Sequence, residues 1–403
     1  MQITHKIQLD PTKDQITQFE KACGCARFSY NWALHEWSEM YKQWKGDNTL
    51  PKPNAFRLKK KFNIIKEKEF PWIYESPKDV NQQVFVFLGK AFTSFFRKTS
   101  KYPQFKKKFG KNSFYISNST FSLDEKSIRL PVIGNVKMTE NLRFSGKINS
   151  ATVSKEVDKW FVSISIDVGK YTKNTKKINK VIGIDLGLKT FAVCSTGETF
   201  DAPKPLQKYK LKLARLQRSH CRKQKGSKNR EKSRLRLAKL HYKISNIRKD
   251  FLHKLSTKIC SENQTIVLED LKVKNMMKNH QMAKSISDAS WSEFRRQIQY
   301  KSEIFGNKIV LANSFMPSSK TCSKCGNVKK DLTLKDRTFV CNECGFSCDR
   351  DLNASFNLST LGSSGTQACG QCASTADVSQ TASVLVEARN NQCKSGNTFL
   401  HKL

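Results

Sequence analysis

The sequence predicts an α/β protein with a β-rich, helix-bearing region ahead of its central unit and a small four-cysteine element near its end. Three observations predict this. Residues 113–168 break into short alternating runs. Residues 181–314 interleave buried apolar runs with long helical stretches. Four cysteines near residue 330 stand as two C-x2-C pairs.

Taken in order, QITHKIQL (2–9) alternates and reads as a strand. Asp10 and Pro11 then suit the N-cap and first position of a helix. Ile16, Phe19, Cys23, Ala26, Tyr30, Ala33 and Trp37 recur at three- and four-residue spacing and mark its buried face. Residues 43–54 are polar and Pro-rich, a loop. Residues 78–99 read as a helix with Val84, Phe87, Leu88, Ala91 and Phe95 on one side. From Phe95 to Lys111 aromatics alternate with Arg97, Lys98, Lys101, Lys106, Lys107 and Lys108. That texture suits a surface where charge meets phosphate and rings stack on bases, and suits an ordinary core edge beside a solvated Lys run equally well. The runs SFYIS, SIRLPVI and WFVSISIDV predict a small β-barrel or sheet joined by the first strand, with the helices of 11–110 inserted into it.

Residues 170–180 form a basic linker, and a new domain begins beyond it. VIGIDLGL (181–188) is a buried strand, with TFAVCST (190–196) turned back on it. Residues 204–260 are helical and very basic, with Leu237, Leu240, Ile244, Ile247, Phe251 and Leu255 as the buried stripe and 223–230 as the tip of a hairpin. TIVLEDL (265–271) is a strand, a helix covers about 290–305, and KIVLANS (308–314) is a strand. Residues 361–403 are rich in Ser, Thr, Gly, Gln and Asn and read as a poorly ordered tail. Its Cys369 and Cys372 have no second pair and stay outside any metal site.

Charge narrows the function. Lys and Arg number 73 against 34 acids in 403 residues, a formal net charge of +39. The fold cannot balance that excess internally, and nucleic acid is the fitting polyanion. A membrane partner fits poorly, because the charge is spread along the chain and no run of about 20 apolar residues exists. The first ten residues lack a signal-peptide core, so an intracellular, cytoplasmic and nucleoid-associated place is expected, with reduced cysteines. From Lys204 to Lys254 there are 19 Lys/Arg against Glu231 and Asp250. Arg222, Lys223, Lys225, Lys228, Arg230 and Arg234 are the candidate nucleic-acid contacts there, beside Lys106, Lys107 and Lys108.

Cys322-x2-Cys325 and Cys341-x2-Cys344, each followed by Gly, form a zinc-ribbon pattern. Two intervening residues let both sulfurs of a knuckle reach one ion, and the Gly permits a turn that aims backbone amides at them. Four thiolates close a tetrahedral shell, so a zinc here is structural.

Acids are scarce, so those inside apolar runs stand out. Asp185 sits between Ile184 and Leu186 in VIGIDLGL, where a carboxylate is costly unless paired or metal-bound. Gly183 and Gly187 leave space for a close-approaching backbone. Glu269 ends TIVLE, at the C-terminal end of a central strand where open α/β sheets place sites. Asp270 follows, but adjacent strand residues face opposite ways, so one of the two can join Asp185. In CDRDLNAS (348–355), Asp349 and Asp351 would lie about 200° apart on a helix, so again one can face the site. Converging carboxylates of this kind hold two divalent ions about 4 Å apart for phosphodiester hydrolysis.

The DxG strand, the strand-ending Glu269, and RDLNAS after the CxxC…CxxCG ribbon together resemble the split RuvC domain of the TnpB (OrfB) family. DPTKDQ…CARFSYNWAL (10–34), AFTSFFRKTSKYPQFKKK (91–108), SKNREKSRLRLAKLHYKISNIRKDFLHKLST (227–257) and FMPSSKTCSKCG (315–326) resemble its other signature stretches. Coverage runs from about 1 to 360. Members are encoded by insertion sequences, are often called transposases, and are RNA-guided DNA endonucleases related to type V CRISPR effectors. The resemblance implies a ribonuclease H-like core and an N-terminal β-barrel (wedge) with a helical recognition insertion. It implies Asp185, Glu269 and Asp351 as ligands for two Mg²⁺, one zinc on Cys322, Cys325, Cys341 and Cys344, a guide RNA, and double-stranded target DNA. The expected divisions are 1–10 with 111–175 (wedge), 11–110 (helical insertion with a helix-turn-helix-like start), 176–317 (nuclease core), 318–347 (ribbon), 348–360 (last core segment) and 361–403 (tail). Two rival functions are a strand-joining transposase, for which no target-joining domain is visible, and a non-cutting regulator, which predicts a lost acid where all three are present.

Overall fold

The computed structural model describes residues 1–108, 110–169, 180–333 and 335–363. The linker expected at 170–180 falls almost wholly outside the described residues, as does all of the tail beyond residue 363. The chain divides into two compact units, Met1–Lys170 and Tyr171–Leu403.

The first unit is a seven-stranded antiparallel sheet with three helices. Its strands are β1 (Gln2–Asp10), β2 (Ser113–Ser117), β3 (Ser122–Leu123), β4 (Ser127–Leu130), β5 (Gly134–Met138), β6 (Lys147–Glu156) and β7 (Lys159–Asp167). They pair in the order β2-β6-β7-β1-β5-β4-β3. Among the described residues β2 and β3 are therefore sheet edges, where a barrel was one of two expectations. The helices α1 (Lys13–Gly46), α2 (Ala55–Glu69) and α3 (Lys78–Phe96) come between β1 and β2 in the chain. The alternating side of β1 that buries Ile7 and Leu9 faces α1, whose Phe19 ring lies 4.9 Å from Trp160 of β7. Trp37 of α1 stacks on Phe92 of α3 at 4.1 Å.

Three expectations change here. Asp10 still belongs to β1, and the cap of α1 is Thr12. A capping box with Gln15 satisfies one backbone N–H at each partner, which Asp10 could not reach from the strand. The loop starts at 47 rather than 43, because Lys42, Gln43 and Lys45 are good helix formers and prolong α1. Directly after it a second, unexpected helix begins at Ala55, capped by Asn54.

The second unit contains β8 (Val181–Leu186), β9 (Ala192–Cys194), β10 (Thr199–Phe200), α4 (Pro205–Lys208), α5 (Lys210–Cys221), α6 (Lys228–Glu262) and β11 (Thr265–Glu269). After these come α7 (Val273–Met276), α8 (His280–Ala289), α9 (Trp291–Phe305), β12 (Lys308–Ala312), β13 (Thr338–Val340), β14 (Ser347–Asp349) and α10 (Arg350–Ser363). The main sheet runs β10-β9-β8-β11-β12, with β8, β11 and β12 parallel and the β8–β9–β10 meander antiparallel. Strand alternation sorts its two faces. Ile182, Ile184, Ile266 and Leu268 pack with Leu252, Leu255 and Ile259 of α6 and with Phe294, Ile298 and Phe305 of α9. Val267 and Ala312 pack with Leu358 of α10 on the other side.

Lys301 of α9 is buried and donates to the His253 carbonyl, Ser256 Oγ and Thr257 Oγ1 of α6 at 2.7–2.8 Å. Burial pulls its ammonium down to about 8. An unfolded lysine titrates near 10.4. Between those values the unfolded chain binds more protons, so this group makes stability rise with pH across about 8 to 10.4. Lys301→Met should therefore raise the melting temperature most at pH 7, with a gain that shrinks toward pH 10. A gain independent of pH would contradict this.

Candidate functional site

Parallel pairing sets Leu268 against Ile184, so one step further along the same register Glu269 stands beside Asp185. Both share the strand parity of Gly183 and Val267, so both project toward α10. There α10 lies directly on β8. A Cβ on Gly183 would collide with the Ser355 carbonyl oxygen and the Ser359 nitrogen, and would lie 3.0 Å from the Leu358 carbonyl carbon. At the other end of the helix, a Cβ on Gly362 would lie 2.5 Å from Val181. The helix thus runs antiparallel to β8. Two strand residues from Gly183 to Asp185 and four helical residues from Ser355 back to Asp351 each advance about 6 Å, which brings Asp351 to the level of Asp185.

Electrostatics agree with that placement. Burial pushes the Asp185 carboxyl up to about 8, and the negative charges of Glu269 and Asp351 add to it, with a smaller contribution from Asp349. Arg350 acts in the opposite sense.

The alternatives left open by spacing separate in space. Asp270 points to the opposite face, where Arg295 of α9 and Lys272 take its two oxygens. Asp349 caps α10, accepting from the amides of Asp351 (2.9 Å) and Leu352 (3.1 Å). Asp351 Oδ1 accepts from Arg350 Nε and Nη2 at 3.1 and 2.9 Å, and Arg337 lies 4.0 Å from Oδ2. Glu269 Oε1 accepts 2.8 Å from the hydroxyl of Ser318. Ser318 and Arg350 lie inside the family-like stretches FMPSSKTCSKCG and RDLNAS, but nothing in the sequence singled out either side chain.

The four ribbon sulfurs lie within 4.8 Å of one another, the only such group of metal-ligating atoms among the described residues. Cys322 and Cys344 sulfurs are 3.6 Å apart, and those of Cys325 and Cys341 3.5 Å. Each knuckle closes alike: Gly326 N–H donates to the Cys322 carbonyl and Gly345 N–H to the Cys341 carbonyl. Both glycines have positive φ (+80° and +66°), which non-glycine residues avoid. Amides of Cys344 and Glu343 draw the Cys341 thiol down to about 6. The cluster can bind a zinc ion, and Leu332 and Phe339 form only a small core around it. Cys341→Ser should consequently drop bound zinc from one equivalent to near none and melt the ribbon. Full zinc retention would show that the ion sits elsewhere.

Of the basic candidates, Lys106 Nζ covers the Tyr30 ring at 4.0 Å, and its backbone is tied to the Asn31 side chain. Lys107, Lys108, Lys225 and Lys228 are exposed. Arg222 and Lys223 join Arg215 and Arg218 around a cleft of about 440 Å³. Arg230 closes the hairpin tip by donating to the carbonyls of His220 and Lys223, and Arg234 is paired with Glu231.

Residues 151–280 match the family model OrfB_IS605, "Probable transposase". Residues 291–358 match a "Cas12f1-like, TNB domain", and 1–46 a "Helix-turn-helix domain". A protein of Streptomyces pristinaespiralis is 34% identical over 373 residues, covering 91% of this chain and 90% of its own length. The chain belongs to the OrfB (TnpB) family. A second member, InsQ of Escherichia coli K12, is 31% identical, with 91% of this chain and 93% of InsQ covered. Both bear the name "Putative RNA-guided DNA endonuclease". The OrfB fold is also seen in a cryo-EM structure titled as the Cas12f1-sgRNA-target DNA complex (TM-score 0.56, 18% identity, covering 86% of this chain and 83% of that one). In this OrfB chain the segment that matches the helix-turn-helix description is a strand and one unbroken 34-residue helix. No helix among the described residues is long and apolar enough to cross a membrane.

Proposed function

We propose that this OrfB/TnpB chain is an RNA-guided DNA endonuclease that cuts double-stranded target DNA by metal-assisted phosphodiester hydrolysis. Asp185, Glu269 and Asp351 are its ligands for two Mg²⁺, on a ribonuclease H-like (RuvC) core. One observation carries the reading: two neighbouring parallel strands and the first turn of α10 bring three carboxylates to one face, and Asp185 is pushed up to about 8 among them.

The donor set fits magnesium, a hard cation that prefers carboxylate oxygens. Arg350 offsets only part of the negative charge around Asp185, and a divalent ion would relieve the rest. When bound, such ions lower the pKa of an attacking water and stabilise the leaving oxygen. The chain's own part is to hold the carboxylates rigidly on packed strands and on α10. Arg350 and Arg337, beside Asp351, supply positive charge where a phosphate would approach.

The zinc on the ribbon is read as structural, because all four positions of a tetrahedron are taken by thiolates. Guide RNA and target DNA are the partners. The excess of basic charge on α5 and α6 supports backbone contact with a duplex without sequence reading. The setting is intracellular.

The test is to express the chain with its native flanking DNA, purify it with any bound RNA, and add a matched supercoiled plasmid. Linear product in Mg²⁺, none in EDTA, and none on an unmatched plasmid is expected. Joined strands instead of breaks would support a transposase, and binding without cutting a regulator.

A further inference from the structure

The segment between β12 and the first cysteine knuckle is held on both sides. Ser318, 6% exposed, donates its hydroxyl to Glu269 Oε1 at 2.8 Å. Its own carbonyl accepts from Asn357 Nδ2 at 2.7 Å. The same Nδ2 reaches the Thr321 carbonyl at 2.6 Å, and Asn353 Nδ2 reaches it at 2.7 Å. Asn353 Oδ1 in turn accepts from the amide of Ser323, inside the knuckle. Asn353 is fully buried and Asn357 nearly so. These two residues lie one turn apart on α10, the helix that also presents Asp351.

A purely structural zinc element would need no such connection to a carboxylate. Here Asn357 holds the carbonyl of the residue that touches Glu269, and Asn353, which shares the Thr321 carbonyl with Asn357, holds the first knuckle. We propose that Ser318 is a positioning residue for Glu269, and that the folded ribbon sets divalent-ion affinity at the carboxylate face through Ser318, Asn353 and Asn357. This rests on the reading of Glu269 as a divalent-ion ligand. The hydroxyl leaves one Glu269 oxygen oriented and the other free. Groups that orient a ligand in this way are typically worth roughly 10- to 100-fold in metal affinity.

The experiment is Mn²⁺ binding to the purified full chain, followed by electron paramagnetic resonance, with zinc content and melting temperature measured on the same samples. Ser318→Ala should keep its zinc and its melting temperature, yet bind Mn²⁺ roughly tenfold more weakly. Ser318→Thr keeps a hydroxyl and should restore the affinity. If Ser318→Ala loses zinc or melts early, Ser318→Thr decides: retained Mn²⁺ affinity supports positioning, and lost affinity overturns it. Unchanged Mn²⁺ affinity in Ser318→Ala overturns the proposal while Glu269→Gln still weakens binding. If Glu269→Gln leaves Mn²⁺ binding unchanged too, the ligand assignment itself falls, and the proposal with it.

Discussion

Gly183→Ala is expected to cost the second unit about 3 kcal/mol or more, at the upper end of overpacking effects in well-packed interiors. The added carbon meets the backbone of α10 at Ser355, Leu358 and Ser359, and a helix backbone cannot turn aside as a long side chain can. Relief requires α10 to move off β8, carrying Asp351 away from Asp185. Cleavage should therefore fall even at temperatures where the variant remains folded. Chemical denaturation and cleavage rates on the same preparation check both parts. A variant as stable and as active as the parent would mean that α10 does not lie on β8 as described.

Asp185→Asn should reduce cleavage by roughly three orders of magnitude or more, equivalent to about 4 kcal/mol of transition-state stabilisation. The same change should stabilise the protein in EDTA. The sign follows from linkage. An unfolded Asp titrates near 3.9, and the folded carboxyl is held up to about 8. Across that window the folded state binds more protons than the unfolded state, so stability contributed by this group falls as pH rises. Asn carries no such dependence. The stabilisation of the variant in EDTA should accordingly grow from about pH 4 to about pH 8. An inactive variant that melts lower at pH 8 would point to Asp185 as a structural hydrogen-bonding residue.

Asp185 and Glu269 were legible because strand periodicity is 2 and both acids interrupt apolar runs. The ribbon was legible because two-residue spacing and a following Gly are what a knuckle needs. Asp349 and Asp351 could not be separated from the residues alone, since the choice turns on where α10 starts. With Arg350 as the first helical residue, Asp349 becomes the cap and Asp351 the first-turn acid. The start of α1 was misread for a related reason: Asp10 is a good cap residue, but pairing with Lys137 keeps it in β1. The helix Ala55–Glu69 is hard to read because it buries only Leu58 and Phe62, while its apolar Phe56 and Ile64 are exposed and blur any one-sided pattern. Ser318 sits in the family-like stretch FMPSSKTCSKCG, but its contact with Glu269 spans 49 residues and no local pattern reports it.

RNA guidance is tested by exchanging the targeting part of the copurifying RNA for a new sequence and following plasmid cleavage. Linear product should move from the original plasmid to the one matched by the new RNA, require Mg²⁺, and vanish in Asp185→Asn. Cutting that ignores the exchanged RNA, or that persists undiminished in Asp185→Asn, would contradict it.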